Sequence, residues 1–207
     1  RHSVIVLQVY DESVVIAEGN YNKQIHWGRV LTKSEVENAD HLITRYPEGY
    51  IPPENPESNK EVSGGSFGAN NQLHWSLNGA GYLTISRNGA CPDFESLTDR
   101  PWNGYMDKII SVRFESGITH IGNNAFNGAN IYGLTIPGTV KSIGDSTFRS
   151  CSQLTMVAIP EGTEVLGSSS FRGCSNLKGV TIPSTIKELK DGAFYSNSEL
   201  TTFKFLP

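Results

Sequence analysis

Residues 131–160 read IYGLTIPGTVKSIGDSTFRSCSQLTMVAIP, and residues 154–183 read LTMVAIPEGTEVLGSSSFRGCSNLKGVTIP. Each stretch runs from an aliphatic triplet into Ile-Pro, then to an aliphatic residue, a phenylalanine and a cysteine, and back to the triplet. Ile136-Pro137, Ile159-Pro160 and Ile182-Pro183 recur at intervals of 23, and Phe126, Phe148, Phe171 and Phe194 recur at 22, 23 and 23. A period of this size is the mark of a stacked repeat architecture. The pattern LxxLxL appears in register as Ile109/Val112/Phe114, Ile131/Leu134/Ile136, Leu154/Val157/Ile159, Leu177/Val180/Ile182 and Leu200/Phe203/Phe205. One unit cannot bury these side chains alone, so units must stack, each phenylalanine on the next. Each unit is expected to supply one short strand, a turn at the proline, and a return segment.

The residues pointing out of such strands alternate with those pointing in. That places Ser111, Gly133, Met156, Gly179 and Thr202 in one exposed column and Arg113, Thr135, Ala158, Thr181 and Lys204 in another. The face is small-residued, carries no acid, and suits an extended protein or glycan ligand. Reversing the charge of Arg113 and Lys204 is expected to weaken an acidic partner.

Working outward, residues 62–108 read as a β-rich cover for the first rung. His74–Leu77 and Gly81–Ser86 suggest a hairpin across Asn78-Gly79, and the aromatics that follow, Trp102 among them, are expected to pack on that rung. Residues 47–61 (PEGYIPPENPESNKE) have linker composition, and Ser63-Gly64-Gly65 reads as linker too, so a boundary is placed there, with the linker over 49–61. Ahead of it, Ser3–Tyr10 and Ser13–Ala17 are β-branched runs separated by Asp11-Glu12, with further strands expected at Ile25–Leu31 and His41–Arg45 and a short helix at Glu35–Ala39. Both alternating faces of the first hairpin are apolar, which predicts association through that sheet.

Composition narrows the function. The chain has 207 residues, 37% of them hydrophobic and 18% charged, so disorder is excluded. Residues 1–61 hold 6 Lys/Arg against 10 Asp/Glu and residues 62–207 hold 11 of each, which argues against nucleic acid as a partner. No apolar run reaches the roughly 20 residues that span a bilayer. Cys91, Cys151 and Cys174 fit neither a paired framework nor a zinc spacing, so buried free thiols, no metal and no cofactor are expected. The chain opens at Arg1-His2 and closes at Phe205-Leu206-Pro207 in mid-unit, so it is expected to be a piece of a longer protein.

The unit I-P-x-x-(V/I/T)-x-x-(I/L)-G-x-x-x-F-x-x-C-x-x-L resembles the BspA-type leucine-rich repeat of bacterial surface proteins over roughly residues 70–207. Residues 109–207 would then be repeats and 62–108 their cap. Ala129 and Asn197 replace the cysteine, Thr163 an aliphatic residue, and Lys190 a glycine. The resemblance implies a secreted or cell-surface protein that adheres to or binds other molecules.

Residues 1–48 resemble, more weakly, the C-terminal part of a CHAP-type (papain-like) cysteine amidase or peptidase. The likeness lies in His2-Ser3-Val4-Ile5-Val6, Glu18-Gly19-Asn20-Tyr21-Asn22, Ile25-His26-Trp27-Gly28-Arg29 and Thr44-Arg45-Tyr46-Pro47. It implies His2 as catalytic base with Glu18 and Asn20 orienting it, provided a nucleophilic cysteine lies upstream. A three-residue loop at Asp11–Ser13 would put Val4 opposite Asn20, with His2, Glu18 and Asn20 on one face. None of the chain's own cysteines suits the nucleophile's part. The fold expected is therefore mainly β: a solenoid of about 23-residue units with a β-rich cap, preceded by a sheet fragment of a papain-like domain. Binding is expected to come from the repeats, with the cell wall as one possible target, and this chain alone is expected to be catalytically inert.

Overall fold

The computed structural model describes residues 60–206 and, within the first 59 residues, the backbone of three strands. The chain divides into two compact units, Arg1–Glu54 and Asn55–Pro207.

In the first unit, β1 (Ser3–Val9), β2 (Ser13–Gly19) and β3 (Ile25–Thr32) form an antiparallel sheet in the order β1-β2-β3. The hairpin register differs from expectation. Val4 lies opposite Glu18, and the register slips by one at Leu7, between the pairs Val6–Ile16 and Gln8–Val15. A bulge absorbs the extra residue of one strand. The last pair is Val9–Val14, so the connection is also longer than three residues. Two independent one-residue offsets thus make Glu18 the partner of Val4, where the three-residue loop called for Asn20. The helix expected at 35–39 and the strand expected at 41–45 lie outside the described residues.

The second unit is a mainly-β solenoid. It begins with β4 (Glu61–Phe67), β5 (Leu73–Asn78) and β6 (Tyr82–Ser86), then the short β7 (Gly89–Ala90). Five strands follow on the LxxLxL motifs: β8 (Ser111–Phe114), β10 (Gly133–Thr135), β12 (Met156–Ala158), β14 (Gly179–Ile182) and β16 (Thr202–Phe205). They alternate with the return strands β9 (Ile118–Ile121), β11 (Ser142–Ile143), β13 (Val165–Leu166) and β15 (Glu188–Leu189). The return strands stack in parallel as one continuous sheet, β15-β13-β11-β9-β7. Among the described residues, helical structure is confined to single 3-10 turns.

The expected hairpin is present, with Asn78 Oδ1 accepting from the amides of Ala80 and Tyr82 at 3.1 and 2.9 Å. Sequence reading missed β4, because Ser63-Gly64-Gly65 has linker composition. The glycines are there for close approach: a Cβ on Gly65 would lie 3.3 Å from the Trp75 indole nitrogen, and one on Gly64 2.8 Å from the Trp75 carbonyl. β6 then pairs in parallel with β8, Leu83 against Val112, so the cap continues the repeat sheet without interruption.

The core is a ladder of like residues. Rings of Phe126 and Phe148 stack at 5.8 Å, Phe148 and Phe171 at 5.1 Å, and Phe171 and Phe194 at 5.5 Å, with Trp102 of the cap on Phe126 at 5.1 Å. The connectors climb with them: the amides of Asn124, Phe126 and Gly128 donate to the carbonyls of Asp145, Thr147 and Arg149, and the next rungs repeat the pattern. Gly144 and Gly167 permit this approach, since a Cβ on either would strike the backbone of the preceding rung. Thr163, standing for an aliphatic residue, is fully buried and donates to the Val140 carbonyl at 3.0 Å, so its hydroxyl is satisfied.

The LxxLxL sheet, by contrast, is in two pieces: β10-β8-β6-β5-β4 and β12-β14-β16. β10 and β12 belong to successive rungs but are not hydrogen-bonded to each other. The connector Asn127–Asn130 has one residue fewer than its equivalents 149–153, 172–176 and 195–199. The strand it feeds is held against β8 instead.

Candidate interaction surface

The register sets the residues of the two columns side by side within each piece of the sheet. Gly133 lies beside Ser111 and Thr135 beside Arg113; Met156, Gly179 and Thr202 are successive neighbours, as are Ala158, Thr181 and Lys204. Arg113, Thr135, Met156, Ala158, Thr202 and Lys204 are exposed, while Ser111, Gly133 and Thr181 are half-buried. Gly179 departs from expectation and is buried: the Met156 side chain lies across it, so that a Cβ there would be 2.7 Å from Met156 Cε. A long flexible neighbour covers what a lone glycine would leave open.

The structure adds Tyr82, Ile110 and Tyr132, which the two-column reading missed, to Met156, which it included. Tyr82, Ile110, Tyr132 and Met156 are 46%, 41%, 57% and 52% exposed, one on each of four successive strand segments. Tyr82 is the cap's partner of Ser111, and the Tyr132 amide donates to the Ile110 carbonyl at 2.8 Å. Ile110 and Tyr132 occupy the second position of the LxxLxL motif, whose column was legible in sequence but was not read as a surface. Arg113 borders the strip and lines a shallow groove with Glu115, Ser116, Thr135 and Pro137.

Glu18 sits in the register between Val4 and His26, while His2 and Asn20 lie outside the described residues. On the return sheet, His120 Nδ1 is 2.7 Å from Ser142 Oγ, and its Nε2 is 3.4 Å from Asp93 Oδ1. Asp93 already accepts from the Asn123 amide at 2.7 Å, so this group ties the cap loop to the first two rungs. No group of three or more His, Cys, Asp or Glu residues among those described could hold a metal ion.

All three cysteines are buried and free. Cys151 and Cys174 donate through Sγ to the carbonyls of Phe126 and Phe148, each at 3.2 Å, which explains the recurrence of cysteine at this position. Asn197 takes the place in the next rung, accepting from the Cys174 amide at 2.8 Å. Burial pushes the Cys91 and Cys174 thiols from 9.0 up to about 12. Burial, with Cys174 nearby, also raises Cys151. The fold therefore favours the protonated thiols. Their contribution is complete below about pH 9, where the unfolded thiols begin to ionise, and is lost as pH rises toward 12. Denaturant titrations at successive pH values are expected to show a steeper alkaline loss of stability in the wild type than in Cys174→Ala. Equal slopes would mean that the native thiol ionises freely.

Residues 104–206 match the family described as the BspA type leucine rich repeat region, in six copies. None of the curated proteins matches the chain. A leucine-rich repeat protein from Eubacterium ventriosum is similar at 28% identity and a TM-score of 0.56, over 70% of this chain and 44% of its own. A leucine rich cell surface protein from Faecalibacterium prausnitzii is similar at 18% identity and a TM-score of 0.47, over 65% of this chain and 38% of its own. A leucine-rich repeat protein of T. pallidum gives 21% identity and a TM-score of 0.42, over 69% and 83%. The chain spans less than half the length of the first two. The resemblance of residues 1–48 to a cysteine amidase or peptidase finds no support in these comparisons. The repeated phenylalanine ladder, the parallel stacked rungs and the family match agree: residues 104–206 are a BspA-type leucine-rich repeat region, carried on the mainly-β solenoid fold of bacterial leucine-rich repeat proteins.

Proposed function

We propose that the chain is the interaction module of a secreted or surface-attached bacterial protein and that its partner is a protein, bound on the strip of Tyr82, Ile110, Tyr132 and Met156 beside Arg113. The observation that carries this reading is the exposure of four large apolar side chains on, or directly ahead of, the successive strands β6, β8, β10 and β12. Contiguous exposed apolar surface marks an interaction site, and tyrosine, methionine and arginine are the residues enriched at protein interfaces. A glycan reader would draw its stacking from aromatic rings alone, whereas Ile110 and Met156 offer none. Family membership supports placement outside the cell, BspA-type repeats being typical of surface proteins. No helix among the described residues is long and apolar enough to cross a membrane.

The test is an array of extracellular proteins and glycans probed with the labelled full chain. Retention is expected on protein spots, and Tyr82→Ser combined with Tyr132→Ser is expected to weaken it by about tenfold or more, since truncating aromatic anchors costs on the order of 2 kcal/mol. Arg113→Glu is expected to weaken acidic partners further. Retention on glycans alone, or unchanged retention by the double variant, would overturn the reading.

A further inference from the structure

The chain carries five sulfur atoms, in Cys91, Cys151, Cys174, Met106 and Met156. Peroxide attacks sulfur that is exposed, and in cysteine it attacks the thiolate. The three cysteines meet neither condition. All are buried, and burial keeps them protonated, the Cys91 and Cys174 thiols being pushed up to about 12 and Cys151 raised as well. Met106 is half-buried and packs against the core. Met156 is 52% exposed, so the most open sulfur of the five stands inside the apolar strip. Its side chain lies flat on the neighbouring strand, where a Cβ on Gly179 would be 2.7 Å from both its Sδ and its Cε. Glycine thus seats the thioether on bare backbone, and that backbone has no donor to spare: the Gly179 amide turns to the Thr155 carbonyl at 3.4 Å, and β14 pairs with β12 on one side and β16 on the other. An oxygen added to this sulfur must face water, so oxidation replaces an apolar contact surface with a polar one.

We propose that Met156 is a redox-sensitive modification site, oxidised to the sulfoxide by hydrogen peroxide, and that this oxidation releases the protein held on the strip of Tyr82, Ile110, Tyr132 and Met156. The thioether sulfur attacks one peroxide oxygen. The S–O bond forms as the O–O bond breaks, the sulfur gives up two electrons, and the second oxygen leaves as water after taking up the proton of the first. A dithiol-dependent methionine sulfoxide reductase reverses the step, two thiols becoming a disulfide while the oxygen leaves as water. Because the other sulfurs are sheltered in the core, the binding face answers to the oxidant while the solenoid beneath it does not. The inference rests on the reading of this strip as a protein-binding surface and adds its regulation.

The experiment exposes the full chain to hydrogen peroxide, locates the added oxygen by peptide mass spectrometry, and applies the treated chain to the array of extracellular proteins. Met156 is expected to gain one oxygen about tenfold or more faster than Met106, with the cysteines unmodified, since exposure sets the order. Retention on the protein spots that hold the untreated chain is expected to fall about tenfold or more, the usual worth of one buried methionine. Methionine sulfoxide reductase with a dithiol is expected to restore it. In Met156→Leu, peroxide is expected to leave retention where it stood before treatment. First oxidation at Met106 or at a cysteine, undiminished retention of the oxidised chain, or a peroxide loss in Met156→Leu equal to that in the wild type would each overturn the proposal. The wild-type arms decide whatever the leucine variant retains. Failure of the underlying reading looks different. Retention of Tyr82→Ser/Tyr132→Ser equal to wild type, or retention on no protein spot, sinks the strip, whereas a loss in that variant with the oxidised wild type fully retained sinks the redox control alone.

Discussion

Replacing Phe148 with alanine is expected to lower the stability of the repeat unit by about 3–5 kcal/mol, the usual cost of emptying a buried phenylalanine site. Phe148 is fully buried, and its ring lies between those of Phe126 at 5.8 Å and Phe171 at 5.1 Å, both within 18° of parallel. The cavity has little freedom to collapse. Above and below, the connector is pinned by the Phe148 amide donating to Ser170 at 2.7 Å and the Phe126 amide donating to Thr147 at 2.8 Å. The loss is also expected to be cooperative, because a solenoid is held together by neighbour-to-neighbour interfaces and this residue forms the middle of two. Phe194→Ala offers the comparison. Its ring stacks on Phe171 from one side only and meets Phe203 edge-on at 5.4 Å, and it is not fully buried. Urea titrations are expected to show Phe194→Ala costing distinctly less than Phe148→Ala. Equal losses would mean that the ladder adds nothing beyond the burial of each ring.

That ladder, and the register of the columns facing outward, could be read directly from the sequence. A period of 22–23 residues specifies which side chains stack, and Ser111 with Gly133, or Thr181 with Lys204, follow from counting alone. What could not be read arises where a neighbour in space overrides composition. Gly64 and Gly65 look like linker until Trp75 is placed against them. Gly179 looks exposed until Met156 folds over it, a choice of rotamer that no periodicity encodes. In the first unit, a bulge at Leu7 changes the pairing that loop length alone would set. The sheet break is a case between these. The shorter spacing from Phe126 to Ile131 is visible in the sequence, but which side of the rung yields to it depends on β8 holding β10 while the connector ladder holds Phe126. The candidate site was legible in the same partial way: Arg113, Thr135 and Met156 came from alternation, whereas Tyr82 required knowing that the cap strand continues the sheet.

The cap's hold on the repeats makes the second large effect. Trp102→Ala is expected to cost at least as much as Phe148→Ala, about 3–5 kcal/mol, and to unfold the cap first. Trp102 is fully buried and serves as the first rung of the ladder, its ring 7° from that of Phe126 at 5.1 Å, with Phe67 and Phe94 edge-on at 5.4 and 5.7 Å and Trp75 at 6.4 Å. Its Nε1 donates to the Ala125 carbonyl at 3.0 Å. Trp102→Phe keeps an aromatic ring but leaves that buried carbonyl without its donor, so an intermediate loss of about 1–3 kcal/mol is expected. Arg100 holds the same loop, donating to the carbonyls of Leu97 and Asn127 at 2.7 and 3.0 Å and to Asn103 Oδ1 at 3.0 Å, which limits how far the backbone can move to refill the site. Segment-resolved hydrogen exchange separates the two ways the cap could be joined. If the tryptophan is a structural rung, Trp102→Ala speeds exchange in β5, β6 and β8 together, because parallel pairing of β6 with β8 makes them one sheet. If only β5 and β6 respond while β8 stays protected, the cap is an appendage, and the exposed strip that runs from Tyr82 to Met156 loses its first residue without losing the rest.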